Sequence, residues 1–324
     1  MTKLREDLLL YGKWMLNATG YLGGQVEVTS RCYQRCAYCS SWRDPAHLGS
    51  WSFYQMVELF EDLATTPAFE HLTWTGGDPQ AWEEFERTLL WVAEFPCRFA
   101  LQITTPLSLP VSNPALWRQA FRDVRVSIDA ATVDGYKRTR GVKLDPLQIL
   151  QNLEQLAHPR VATFTVVSPE NLEEIPRLLE LLEPLPLRRR IFVPVWGVDL
   201  PAAYWEAYHT LRQRYAGREG TNFGEGMAFN PEHKCWAGTA GFHLKSNGDV
   251  YPCPLVGGEA VATCPEFKLG NYFARPHLEP FRQLFMRRFA SAESVASCVD
   301  ICQYKQCQLN AIGQLASATC LALP

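Results

Sequence analysis

The stretch Gln25–Cys39, QVEVTSRCYQRCAYC, decides the fold. Its first five residues, Gln25–Thr29, are rich in β-branched side chains and read as a strand. Cys32, Cys36 and Cys39 follow almost at once, so they fall at the strand's C-terminal end. In an α/β sheet that is the end where functional loops gather. Three thiolates spaced by three and then two residues can wrap one metal centre from a single loop. A cubane iron–sulfur cluster has four irons, each taking one outside ligand, so three cysteines leave one iron open. A zinc ion needs a fourth protein ligand, and His47 is the candidate nearby. Both readings stand at this point.

Working outward, short β-branched or aromatic runs recur at His71–Thr75, Phe99–Thr104, Val124–Ile128, Ala162–Val167 and Ile191–Val195. Helical patterns separate them. Ser52 with Gln55 reads as a capping box opening a helix to about Leu63. Trp82–Ala93 and Pro114–Phe121 are the next two. Leu147, Leu150, Leu153 and Leu156 put a stripe on a fourth, and Asn171 with Glu174 opens a fifth that buries Ile175, Leu178, Leu179 and Leu182. Strands alternating with helices imply a parallel sheet joined by right-handed crossovers. Six units are too few for a full eight-unit barrel, which leaves a partly open barrel or a doubly wound sheet.

Composition narrows the class. The 324 residues are 47% hydrophobic and 20% charged, ordinary for a globular protein that buries a core. A formal charge of −3 gives no basic excess for a nucleic-acid backbone. No apolar run approaches the roughly 18 residues of a membrane span, and MTKLREDLLLYGKW lacks the form of a signal peptide. A cytoplasmic location is expected, where thiols stay reduced. The 11 cysteines, an odd number, then argue for metal or cluster ligation over disulfides. Cys97 reads as a small core residue and Arg188–Arg190 as a solvated edge. Trp42, Trp51 and Trp74 fall near the mouth of the sheet in sequence terms.

The pattern CxxxCxΦC with Tyr38 at Φ resembles the radical S-adenosylmethionine (SAM) superfamily, and further motifs follow in order. Thr75-Gly76-Gly77-Asp78-Pro79 is similar to the family's glycine–glycine–acid motif. Ser127-Ile128-Asp129 stands where the family holds the ribose, and Tyr136 through Arg140-Gly141 resembles the arginine–glycine step after it. The resemblance spans about Gly24 to Gly197 and implies a partial (β/α)6 barrel. It implies a [4Fe–4S] cluster on Cys32, Cys36 and Cys39, with SAM bound by Tyr38, Gly76, Gly77, Asp78, Ser127, Asp129 and Arg140. Gly76 and Gly77 let the backbone approach the methionine moiety, and Arg140 can fork onto its carboxylate. Asp78 stands where the family has Glu, one methylene shorter.

The remaining cysteines concentrate in the last ninety residues. A boundary near Gly217–Asn230 divides a 1–216 core from a small cysteine-rich 217–324 domain. FHLKSNGDVYPC, 242–253, reads as a β-hairpin with a type I′ turn at Asn247-Gly248, bringing Cys235 and Cys253 together. His243 and Asp249 on it read as surface polar residues. The spacing resembles the SPASM or twitch extension of radical SAM enzymes, and Leu269-Gly270-Asn271 fits it too. Cys298, Cys302, Cys307 and Cys320 replace the family's usual run, with Ala311 where a sixth cysteine would fall. One auxiliary [4Fe–4S] cluster on those four and a second on Cys235, Cys253 and Cys264 is one assignment. A single auxiliary cluster, or a zinc ribbon, competes with it.

The resemblance implies reductive cleavage of SAM to a 5′-deoxyadenosyl radical, followed by oxidative modification of a substrate by hydrogen abstraction. Maturation of a ribosomally made peptide is the expected use. Oxidation of a small molecule such as an aminocyclitol is the alternative, and a non-catalytic zinc or cluster module is the third. The expected partners are an electron donor such as flavodoxin or ferredoxin and a separate leader-peptide-binding protein. Only about 24 residues precede the first strand, too few for a fused leader-binding domain, so recognition is expected to fall to such a separate protein or to the barrel mouth itself.

Overall fold

The computed structural model describes residues 21–39, 41–42, 48–195, 200–224, 238, 240–254 and 267–289. The six expected strands are present: β1 Gly23–Thr29, β2 His71–Gly76, β3 Ala100–Thr105, β4 Asp123–Ser127, β5 Val161–Val167 and β6 Arg189–Pro194. They lie side by side in chain order and every neighbouring pair is parallel. A right-handed crossover repeated in one direction places all its helices on one face of the sheet. A doubly wound sheet needs a reversal of strand order, and none occurs along β1–β6. The wall of a partial barrel is therefore the architecture.

Side-chain alternation separates the two faces. Val26, Val28, Leu72, Trp74, Leu101, Ile103, Val124 and Val126 point to the helix side and are buried. Trp74 meets Phe60 of the helix Phe53–Ala64 at 6.4 Å and Phe121 at 5.6 Å, ring centre to ring centre. Along β1–β4 the opposite, concave face is polar: Glu27, Thr73, Thr75, Gln102, Thr104, Arg125 and Ser127 share it by register.

Ser52 and Gln55 form the expected capping box. The second helix begins at Phe85 rather than Trp82, because Asp78 caps a 3-10 turn at Pro79–Ala81 that delays it. Trp82 instead donates its indole N–H to the Trp51 carbonyl at 2.6 Å. In the helix Pro146–Leu156 the buried face is Ile149, Leu150, Leu153 and Leu156, and Leu147 is exposed. A strict three-residue step drifts off the 3.6-residue turn, so Ile149 takes the place expected of Leu147. Ile175, Leu178, Leu179 and Leu182 are buried as expected on the helix Ile175–Leu182. The helices Val133–Arg140, Ala202–Arg214 and Glu279–Phe289 were not anticipated.

Strand β7, Thr221–Phe223, continues the sheet beyond β6 inside the stretch read as a boundary. Strands β8 Gly241–Leu244 and β9 Asp249–Tyr251 form the hairpin, and β8 pairs parallel with β1, so the hairpin extends the barrel sheet. A two-residue strand, β10 Gly270–Asn271, pairs with β9. The hairpin turn is not type I′. Lys245 accepts the Gly248 N–H at 2.9 Å and donates to the Asp249 carbonyl at 2.8 Å, and only Gly248 (φ 84°) is left-handed. This is a type I turn closed by a glycine bulge, a three-residue connection. His243 and Asp249 are buried, not surface groups. Glu27 accepts from Lys245 Nζ at 2.7 Å and lies 3.2 Å from His243 Nε2, a charged cluster sealed at the β1–β8 seam.

Candidate active site

The three thiols of the Cys32–Cys39 loop border one cavity of about 210 Å³ at the C-terminal ends of β1–β5. Gly76 and Gly77 at the end of β2, Thr105 at the end of β3, Ser127 at the end of β4 and Val166 near the end of β5 share its wall. Tyr38, Trp42 and Arg140 also face it, whereas Trp51 and Trp74 are core.

The loop is held by the C-terminus of the helix Val133–Arg140. Arg35 N–H donates to the Arg140 carbonyl at 2.8 Å and Ala37 N–H to the Thr139 carbonyl at 3.4 Å, satisfying carbonyls a helix end leaves open. Gly141 ends that helix in the left-handed conformation (φ 67°), the ordinary glycine C-cap. A side chain there would start 2.9 Å from the Arg35 carbonyl oxygen. Gly76 (φ 123°) and Gly77 dock against the other side of the loop. Added Cβ atoms would lie 2.4 Å from the Thr29 oxygen and 2.2 Å from the Arg31 oxygen. The glycine pair thus seats the thiol loop, in addition to bordering the cavity.

Arg140 and Asp129 are both buried and paired. Nε and Nη2 each stand 2.9 Å from Asp129 Oδ2, and Tyr38 donates its hydroxyl to the same oxygen. Val166 N–H fills Oδ1 at 2.9 Å. The remaining guanidinium nitrogen donates to Gln34 Oε1 at 2.8 Å. The carboxylate expected on ribose is therefore committed to protein donors, and the guanidinium expected on the methionine carboxylate is committed to Asp129 and Gln34. Burial disfavours the Arg140 charge, but Asp129 outweighs it and holds the pKa well above the ordinary value. Ser127, free of such a network, remains on the cavity wall.

Asp78 lies under the cavity, fully buried. Its Oδ1 accepts from Thr105 Oγ1 at 2.9 Å and Gln80 N–H at 3.1 Å, while Oδ2 has no partner among the described residues. Burial lifts its carboxyl to about 6. Gln34 and Thr105 were not foreseen; a glutamine between two ligand cysteines is the only signal the first offered, and Thr105 had none.

Among the described residues no three of His, Cys, Asp and Glu converge closely enough to hold a single metal ion. The three thiols ring a cavity instead, the donor set a multi-iron cluster needs. Burial raises Cys32 and Cys36 to about 11 as free thiols, and the positive charge of bound iron would reverse that. Of the auxiliary set only Cys253 is described: it follows β9 and packs half-buried against the core. Cys235, Cys264, Cys298, Cys302, Cys307 and Cys320, with His47, lie outside the described residues. Cys97 packs against the core as expected.

Residues 26–182, which hold the thiol loop and strands β2–β5, match the model of the Radical SAM superfamily. The protein is an enzyme carrying a radical SAM domain, whose cofactors are a [4Fe–4S] cluster and SAM. Its fold is similar to that of Streptococcus suis SuiB bound to S-adenosylmethionine, at TM-score 0.64 and 16% identity over 89% of this chain and 72% of that one. It is likewise similar to SuiB bound to precursor peptide SuiA, at TM-score 0.61 and 14% identity over 86% and 69% of the two chains. AnSMEcpe with bound AdoMet and Cp18Cys peptide matches at TM-score 0.56 and 13% identity over 85% and 82%. No curated protein matches the sequence. No helix among the described residues is long and apolar enough to cross a membrane.

Proposed function

We propose that the enzyme oxidatively modifies a peptide by hydrogen abstraction. The observation that carries this reading is the convergence of Cys32, Cys36 and Cys39 on one cavity with Gly76, Gly77 and Ser127. Cys32, Cys36 and Cys39 would hold a [4Fe–4S] cluster, which would supply the electron for reductive cleavage of SAM bound beside it. The chain's own residues hold that geometry. Gly76 and Gly77 fix the thiol loop from one side and the Arg140–Asp129 pair from the other. Gly77, Ser127 and Trp42 border the space where SAM would lie.

A peptide substrate is supported by fold neighbours whose structures contain peptides, SuiB with SuiA and anSMEcpe with Cp18Cys. Auxiliary clusters on Cys235, Cys253 and Cys264 and on Cys298, Cys302, Cys307 and Cys320 would accept the electron that an oxidation releases. A flavodoxin or ferredoxin would deliver the electron that starts each turnover, and a separate leader-binding protein would present the peptide.

Anaerobic reconstitution with iron and sulfide, then dithionite and SAM, tests the reading. Formation of 5′-deoxyadenosine, accelerated by a peptide substrate, is expected. Deuterium moving from labelled peptide into deoxyadenosine identifies the abstracted hydrogen. Intact clusters without deoxyadenosine would overturn the reading.

A further inference from the structure

Arg188, Arg189 and Arg190, expected to form a solvated edge, have three different environments. Arg190 clamps the end of the helix Ile175–Leu182, donating to the carbonyls of Leu182, Glu183 and Leu185 at 2.9–3.2 Å. Arg188 shares the Asp123 carboxylate with Arg122 and Arg160, at 3.2, 3.0 and 2.8 Å. Arg189 makes no ion pair among the described residues.

All but Arg190 border a second cavity, of about 350 Å³, at the N-terminal ends of β4–β6. Five arginines, with Arg125 the fifth, face it with one carboxylate, Asp123; five positive and one negative charge leave a formal +4. Arg125 is half-buried, donates to the neutral Gln102 Oε1 at 3.0 Å and has Asp123 as a nearby countercharge, with burial holding its pKa below the ordinary value. Arg122, Arg160 and Arg188 expose 40–55% of their side chains and Arg189 is exposed, so the excess charge is a solvent-facing positive field that an anion entering the cavity would meet.

Register fixes the geometry. Arg125 of β4 pairs with Ala162 of β5, and Ala162 with Arg189 of β6. The two arginines thus stand two strands apart on the concave face, roughly 9–10 Å between backbones, with a methyl group between them. The small side chain leaves a gap that two guanidinium forks can border. Phe164, two residues on from Ala162 and on the same face, borders both this cavity and the thiol-lined one.

We propose that Arg125 and Arg189, flanking Ala162, form a binding site for a compact oxyanion bearing at least two negative charges, a phosphate or a polycarboxylate. The guanidinium fork matches both groups bidentately, and the arginines on Asp123 supply the surrounding field. The site lies along the concave face from the cofactor cavity and does not depend on the cluster or SAM.

Titration calorimetry of the full chain, at constant ionic strength, tests this with pyrophosphate and with citrate against chloride. Saturable binding of either anion is expected. Arg125→Gln and Arg189→Gln should each weaken it about 10-fold or more, as loss of a charge-assisted hydrogen bond does. Arg87→Gln, remote from the cavity, should leave it unchanged. Ala162→Leu fills the gap without altering charge and should abolish binding, with circular dichroism confirming the fold. Binding of pyrophosphate alone assigns a phosphate ligand, and of citrate alone a carboxylate ligand. Binding no tighter than chloride, or unaltered in both arginine variants and Ala162→Leu, overturns the proposal.

Discussion

Arg140 grips a single carboxylate oxygen of Asp129 with two of its nitrogens, each at 2.9 Å, and both side chains are sealed from solvent. The pair joins three parts of the site. Asp129 follows β4, Arg140 ends the helix whose carbonyls hold the thiol loop, and Tyr38 of that loop donates to the same carboxylate. Removing one partner leaves the other charge buried. Asp129→Asn or Arg140→Gln is therefore expected to destabilise the protein by about 3–5 kcal/mol, and the double variant by less than the sum. Urea unfolding of the four proteins measures the coupling, and additive losses would contradict it.

Gly77 gives a second test. An alanine there meets the Arg31 carbonyl oxygen at 2.2 Å, whereas at Gly217, with φ 78°, it meets nothing within 4 Å. Gly217→Ala carries only the left-handed backbone strain, about 1–2 kcal/mol. Gly77→Ala has to displace the thiol loop. It is expected to lose the visible absorption of the reconstituted cluster, while Gly217→Ala keeps it. Equal spectra for the two would show that the loop tolerates the added methyl.

The barrel strands are legible in the sequence because β-branched runs such as Gln25–Thr29 and Ala162–Val167 carry their signal locally. The thiol loop is legible because its three ligands sit within eight residues. The fate of Asp129 is not. Its neighbours in the fold, Tyr38 and Val166, lie 91 and 37 residues away, and a Ser-x-Asp pattern says nothing of which donors reach the carboxylate. His243 was misread for a related reason. A hairpin in sequence looks solvent-exposed on one face, and only the parallel pairing of β8 with β1 buries it against Glu27. Helix Ala202–Arg214 carries little amphipathic signal, since its buried contacts are Tyr204 and Tyr208.

Two buried carboxyls predict opposite acid behaviour. Burial opposes the Glu27 charge, but Lys245 and His243 outweigh it and lower its pKa from 4.5 to about 2. Its contribution, roughly 3 kcal/mol, is complete above its ordinary pKa and is lost as pH falls toward the folded value. Asp78 is raised by burial from 3.8 to about 6, so the native state binds the extra proton and stability falls as pH rises through that window. Urea midpoints followed against pH should flatten below the ordinary glutamate pKa in Glu27→Gln. In Asp78→Asn they should flatten between 3.8 and about 6. Wild-type slopes in both variants would refute the assignment.

The cysteine inventory sets the last prediction. Cys32, Cys36 and Cys39 would hold one cubane, and the proposed auxiliary ligands one or two more. With four irons per cubane, reconstituted protein should contain about eight irons if one auxiliary cluster forms and about twelve if two do. Replacing Cys32, Cys36 and Cys39 together by alanine should remove about four irons and all deoxyadenosine formation while leaving the auxiliary signal in electron paramagnetic resonance. Cys97→Ala should change neither, because among the described residues that thiol packs against the core and donates to the Phe99 carbonyl. An iron count near four in the wild type would reject every auxiliary cluster, and with it the route proposed for the electron that oxidation releases. A spectrum of the triple variant identical to wild type would place the SAM-binding cluster on other ligands.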